Sequence, residues 1–293
     1  GTYFPPDDRW GRPGFRRILL SVAEAWRNRR DEILASSQEL TTALQTSVSE
    51  AEQAPLTLQT LEAAVEHLRQ LYDPVHGGFG PAPKFPRSHA LSFVLRTWSR
   101  QRQEELLGMV ETTLQAMARG GLHDQLGGGF HRYSTDEQWL LPHFEKMLYD
   151  QALLARTYLE AYQVTGNASY ADVARDIFAY VLRDLRDPQG AFYSAEDAGE
   201  VGKEGEFYIW RPAQVQQALG SPDEAALVSR FYDVTDSGNF EGHSILRITL
   251  PMEAFAQEQG QPVEEIRRRL EAARQRLLAI RSQRARPHRD EKI

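Results

Sequence analysis

LHDQLGGGFHRYS, residues 122–134, decides how the rest of the chain is read, because its pattern of glycine followed by an aromatic returns three more times. It recurs as YDPVHGGFG at Tyr72, LRDPQGAFYSAEDA at Leu185 and YDVTDSGNFEG at Tyr232. Counted at the aromatic, the intervals Phe79–Phe130, Phe130–Phe192 and Phe192–Phe240 are 51, 62 and 48 residues. Each is long enough for two helices and their turn, so the stretch is one connector of an internal repeat. Glycine permits positive φ and close backbone approach, while the aromatic anchors the connector in the apolar end of a helical layer.

Between the connectors the apolar spacing is helical. Ile18, Leu19, Val22, Ala25, Trp26, Ile33 and Leu34 predict one helix from Phe15 to about Thr46, and Leu58, Leu61, Val65, Leu68 and Leu71 predict another from Thr57 to Tyr72. Helices are also expected over His89–Ser99, Glu104–Arg119, Phe144–Thr165, Tyr170–Leu185, Pro212–Leu219, Asp223–Phe231, Met252–Gln259 and Val263–Arg284. Ala191–Tyr193, Glu206–Trp210 and Ser244–Leu250 read as minor strands. Repeated hairpins of this kind build either an open solenoid or a closed ring. The connectors carry different, chemically capable side chains, which favours a ring with one central cleft: an all-α, incomplete (α/α)6 toroid.

Composition narrows the function. The chain has 293 residues, 41% of them hydrophobic and 26% charged, enough for a sizeable core and too apolar for general disorder. Its net charge of −7 argues against a nucleic-acid partner, and the arginines at 267–269 and 281–289 read as a solvated helix face. With no cysteine there is no disulfide, thiolate metal site or cysteine nucleophile. No run of 18 apolar residues is present, so no membrane segment is expected and a cytoplasmic location is. Eight scattered histidines and the lack of a dinucleotide or phosphate-loop motif lead us to expect neither metal nor cofactor.

Four long motifs give the chain a family resemblance: GTYFPPDDRWGRPGF at Gly1, GGFGPAPKFPR at Gly77, GGLHDQLGGGFHRYSTDEQWLLPHFEKMLYDQALL at Gly120 and FYSAEDAGEVGKEGEFYIW at Phe192. It resembles the thioredoxin-domain-containing family of YyaL and spermatogenesis-associated protein 20. That resemblance implies a thioredoxin-like domain before Gly1, with residues 1–14 the end of its linker and residues 15–293 a partial toroid. It also implies likeness to the six-hairpin glycosidase and N-acylglucosamine 2-epimerase folds, in which one end of the ring binds sugars. The tail PHRDEKI resembles the family segment leading into a further inner helix.

The densest chemistry lies in HRYSTDEQWLLPHFEKMLYD, residues 131–150. Pro142 suits a first helical turn, which would return His143, Lys146 and Asp150 to one face beside His131, Arg132 and Tyr133. His143 and His131 are the expected proton carriers, with Lys146 and Asp150 binding or balancing charge. Asp197 and Glu206 are candidate carboxylates for glycoside hydrolysis. His76, Lys84, Asp124 and Tyr208 complete the expected substrate-binding set, Lys84 because GGFGPAPKFPR is stiffened by glycine and proline.

Three classes of function remain open. A sugar-active isomerase, epimerase or hydrolase requires these groups to converge on one cleft. A carbohydrate- or peptide-binding module requires aromatics such as Tyr133, Trp139, Tyr193 and Tyr208 without an acid–base pair. A scaffold would organise substrates for a thioredoxin-like partner and need no deep cleft.

Overall fold

The computed structural model describes residues 4–9, 11–51, 57–200 and 202–290. Parts of the expected linker (residues 1–3 and 10), Val201 and the end of the tail (residues 291–293) lie outside them. The chain divides into two compact units, residues 1–61 and 62–293. In the first, the single helix expected from Phe15 is two, α1 (Phe15–Asn28) and α2 (Arg30–Ala51), broken where Arg29 leaves helical geometry at φ −136°. The next helix, α3, spans Leu58–Leu71.

The second unit is a succession of helical hairpins, the repeating unit expected of an α/α toroid. They are α4 (Ser88–Gln101) with α5 (Glu104–Arg119), α6 (Leu148–Thr165) with α7 (Ala168–Tyr180), α8 (Pro212–Leu219) with α9 (Pro222–Phe231), and α10 (Met252–Gln259) with α11 (Val263–Arg281). The leading helices of the first two hairpins also pack together, α4 on α6, and α11 packs on α8 and α9. One apolar cluster fills the first two hairpins, around Leu91, Val94, Leu114, Phe130, Tyr158 and Ile177. A second fills the last two, around Val215, Phe231, Phe255, Ile266 and Leu277. Asn167 and Ser221 cap α7 and α9 through their side chains, as expected of short polar residues before a helix.

One helical expectation fails in an informative place. The helix predicted from Phe144 begins at Leu148, because residues 142–147 are extended. Strand β2 (Pro142–His143) pairs antiparallel with β1 (Tyr133–Ser134), and β3 (Lys146–Met147) pairs antiparallel with β4 (Ala195–Glu196). The backbone there is committed to two ladders and side chains alternate with period two. Pro142, Phe144 and Lys146 are buried, whereas His143, Glu145 and Met147 are partly exposed. His143 and Lys146 therefore face opposite ways. The expected strands over residues 206–210 and 244–250 reduce to a single bridge between Trp210 and Ser244, and that over residues 191–193 to the Arg186–Phe192 bridge.

Candidate active site

Three of the four connectors share a construction that the sequence only hinted at. In the first, the Asp73 side chain accepts the backbone N–H groups of Val75 and His76 (2.9 and 3.0 Å), and Lys84 donates to Asp73 and to the Gly77 carbonyl. In the second, Asp124 accepts from Leu126 and Gly127 (3.2 and 3.0 Å), and Lys146 donates to Asp124 and to the Gly128 carbonyl (2.8 and 2.9 Å). The third keeps the turn, with Asp187 accepting from Gln189, but the Tyr193 hydroxyl takes the lysine's place (both 2.8 Å). Each lysine also lies over an aromatic ring, Lys84 over Trp139 and Lys146 over Tyr180. Those rings fill the space that a side chain at Gly78 or Gly129 would occupy: a Cβ added at either glycine would lie 2.5 Å from its ring, and both glycines have positive φ.

The lysine-bearing segments tie the first connector to the second and the second to the third. Lys84 exchanges two backbone hydrogen bonds with Ser134 (2.8 Å each), and Lys146 pairs with Glu196. Glu196 in turn bridges to Arg289, with Asp197 N–H donating to the His288 carbonyl (2.8 Å). Lys84 and Lys146 are each only 1% exposed, so their amino groups are given to these contacts.

Behind the second connector lies a buried ionic network. Arg281, from the last turn of α11, donates to both oxygens of Asp124 (2.6 and 2.7 Å). Burial alone would raise the Asp124 pKa, but the charges of Arg281 and Lys146 and the hydrogen bonds hold it well below the ordinary carboxylate value. Burial pulls Lys146 down, partly opposed by Asp124. Glu196 accepts from the Tyr180 hydroxyl (2.9 Å) and from Arg286 (2.8 Å). His131 is buried, and its Nδ1–H donates to the Phe144 carbonyl (3.0 Å), since a carbonyl can only accept. Burial first, then the Lys146 charge, depress its pKa strongly, leaving a neutral ring against Phe144 and Tyr208. The space enclosed by this network is about 10 Å³, room for one water and none for a sugar.

The accessible chemistry lies on the other side of the extended segment. His143 Nε2 is 3.1 Å from Glu145, whose carboxylate accepts from Arg132 (2.8 Å). Arg132 bonds the Tyr149 hydroxyl and bears electrostatically on Asp150, in the first turn of α6. Among the described residues Asp150 Oδ2 is buried without a hydrogen-bond partner, and burial raises its pKa to about 7 against the opposing pull of Arg132. Three rings form a row beside these groups: Phe85 to Tyr133 at 4.8 Å and Tyr133 to His143 at 5.0 Å between centroids, with Phe85 and Tyr149 about half exposed. The edge thus holds a carboxyl that titrates near neutrality, a carboxylate-oriented imidazole and a guanidinium beside an aromatic platform.

Of the expected site residues, His143, Arg132, Tyr133 and Asp150 gather at this edge. Lys84, Asp124, His131, Lys146 and Tyr208 are buried behind it, and the partly buried His76 accepts from Trp139 Nε1 through its carbonyl (2.9 Å). Asp197 is exposed because β4 turns Glu196 inward, and Glu206 opens on a separate cleft of about 400 Å³ with Lys203, Arg286 and His288. Sequence reasoning passed over Glu145, Tyr149, Asp73 and Arg281 as site residues. Period-two alternation in LPHFEKM would have found Glu145 beside His143, whereas nothing local ties Arg281 to Asp124, 157 residues away. Among the described residues no three potential ligands form a metal site, and no helix is long and apolar enough to cross a membrane.

A family model described as Thioredox_DsbH, protein of unknown function, DUF255, matches residues 1–45. Human spermatogenesis-associated protein 20 is 39% identical over 325 residues, an alignment that takes in 100% of this chain and 41% of the human protein. The chain is thus similar over its whole length to spermatogenesis-associated protein 20. It spans about two fifths of the length of the curated relatives it matches. It is also similar to cellobiose 2-epimerase of Bacteroides fragilis, 25% identical over 131 residues covering 41% of this chain and 32% of that protein. Among solved structures, a sugar epimerase from a ruminal bacterium is 15% identical, covering 72% of this chain and 50% of its own at a TM-score of 0.42.

Proposed function

We propose that the polar edge acts on a sugar, moving a proton at the carbon next to a carbonyl as an isomerase or epimerase does. The observation that carries this reading is Asp150: a half-buried carboxyl titrating at about 7, with an unpaired oxygen, next to Arg132 and the His143–Glu145 pair. One of Asp150 and His143 takes the proton as the C–H bond breaks, and its electrons pass to the carbonyl oxygen, where Arg132 stabilises the developing negative charge. The other returns a proton, to the opposite face of the same carbon for epimerisation or, for isomerisation, to the former carbonyl carbon, while the hydroxyl proton of the first carbon passes to the former carbonyl oxygen and leaves the new carbonyl behind. Phe85 and Tyr133 offer faces on which a sugar ring stacks. The similarity to a cellobiose 2-epimerase supports the substrate class.

Glycoside hydrolysis fits less well, because it needs two carboxyl groups across one bond. Glu196 is engaged by Tyr180 and Arg286, and Asp197 and Glu206 do not join Asp150. The second reading is a non-catalytic carbohydrate- or peptide-binding or scaffold module serving a thioredoxin-like partner domain, supported by the match of residues 1–45 to the DUF255 model. Proton exchange from solvent deuterium into a panel of aldoses and ketoses separates the two. Exchange that is lost in both His143→Ala and Asp150→Asn supports catalysis; sugar binding without exchange supports the module.

A further inference from the structure

Further along α6 from the polar edge lies a groove that none of the chemistry above uses. Leu153 and Arg156 follow Tyr149 on one face of α6 at helical spacing, and Ser92, Phe93 and Arg96 face Leu153 and Arg156 from α4, enclosing about 330 Å³. Tyr149, which interacts with Arg132, stands one turn before Leu153 on that face, between the edge and the groove. Phe93 and Leu153 give the middle of the groove an apolar wall, and its far end is cationic. There Arg96 and Arg156 both donate to one oxygen of Glu160, at 2.8 and 3.0 Å.

Two guanidinium groups thus share one carboxylate, an excess of positive charge at a place open to solvent. Their side chains are 60% and 64% exposed, against 21% for Glu160. Although partial burial would raise the Glu160 pKa, hydrogen bonds from both arginines and Ser92 keep it low, so the acid stays ionised and the excess stays at one charge. His89, exposed on the same wall, adds a further donor. Paired arginines of this kind suit a carboxylate or phosphate, which accepts several charge-assisted bonds at once.

Distance then fixes where the anion sits on the ligand. Six residues of helix separate Asp150 from Arg156, a rise of about 9 Å. A ligand whose reacting carbon is at Asp150 and whose body lies over Phe93 and Leu153 reaches Arg156 with its opposite end. We propose that the substrate of this site is a sugar carrying a phosphate or carboxylate at the end remote from its carbonyl, held by Arg96 and Arg156. This rests on the reading of Asp150 and His143 as the reacting pair.

The test is calorimetric titration of the full chain with glucose 6-phosphate, glucuronate and glucose, repeated with Arg96→Gln/Arg156→Gln and with His143→Ala. At least one anionic sugar is expected to bind about tenfold more tightly than glucose. That advantage should shrink with added salt and vanish in the double arginine variant, leaving glucose binding unchanged. Preference for glucose 6-phosphate identifies the anion as phosphate, and preference for glucuronate as carboxylate. Equal affinity for all three, binding of none, or a preference that survives the double substitution overturns the inference. Anion preference retained in His143→Ala but without proton exchange in the unsubstituted protein refutes the catalytic reading and leaves the groove as an anionic-sugar binding site. Exchange into neutral sugars without anion preference removes only the anionic substrate.

Discussion

Replacing Asp150 by asparagine is expected to abolish proton transfer while making the protein more stable at pH 8. The folded protein raises the Asp150 pKa from 3.8 to about 7 through burial. The fold therefore favours the protonated carboxyl. That stabilising contribution is complete below the unfolded pKa, declines as pH rises between the two values, and is gone above about 7, where the buried ionised group leaves Asp150 a net burden. Three units at about 1.36 kcal/mol each give about 4 kcal/mol as the ceiling. The group is about one-third open to solvent, and screening brings the expected effect to about 2 kcal/mol. Asparagine has nearly the same shape and no charge, so urea titrations of both proteins at pH 4, 6 and 8 should show an advantage for Asp150→Asn that is absent at pH 4, grows through pH 6 and levels off above 7. A difference that is constant across this range, or that favours aspartate at pH 8, refutes the raised pKa and with it the assignment of Asp150 as a proton carrier at neutrality.

The two histidines should separate cleanly. His143→Ala is expected to remove activity with a change in stability below about 1 kcal/mol, whereas His131→Ala, which empties a buried ring position, should cost about 2–4 kcal/mol, both read from urea midpoints and activity per folded molecule. Lys146→Ala should destabilise by about 3 kcal/mol or more, because it withdraws one partner of the buried Asp124. Lys84→Ala should cost less, since its partner Asp73 is partly solvated, and the same urea titrations rank the two. Gly129→Ala should cost more than about 2 kcal/mol, the new methyl meeting the Tyr180 ring at positive φ. Gly166→Ala, at similar φ with open space around it, should cost only about 1 kcal/mol by thermal melting.

The repeat and the helices were legible because they depend on local spacing. Glu104–Arg119, Pro212–Leu219 and Met252–Gln259 have the ends that their apolar periodicity and turn residues predict. The segment from Pro142 to Met147 was not, because two signals compete there. Pro142 and the spacing of His143, Lys146 and Asp150 suit a helix, whereas the alternation of Pro142, Phe144 and Lys146 suits a strand, and only the pairing partners Tyr133–Ser134 and Ala195–Glu196 decide between them. The same dependence on distant partners governs the lysines. Their motifs singled out Lys84 and Lys146, but whether an amino group meets a ligand or an internal carboxylate turns on Asp73 and Asp124, which the sequence alone does not orient. Asp150 was found by its position near His143, although what distinguishes it, an unpaired buried oxygen, exists only once α6 begins at Leu148.

The bonding of the first connector to the second and the second to the third, Lys84 with Ser134 and Lys146 with Glu196, with Glu196 continuing to Arg289 of the tail, also determines how the hairpins come apart. A protease cut in the turn after Thr165 severs only the junction between α6 and α7. A cut inside a connector leaves both new ends stitched to adjacent loops, so the fragments stay together under native conditions and part only when the whole row unzips. Hairpins bound in this way behave as links that share their fastenings, and a single unit cannot be exchanged or deleted without also re-cutting the loops on either side of it.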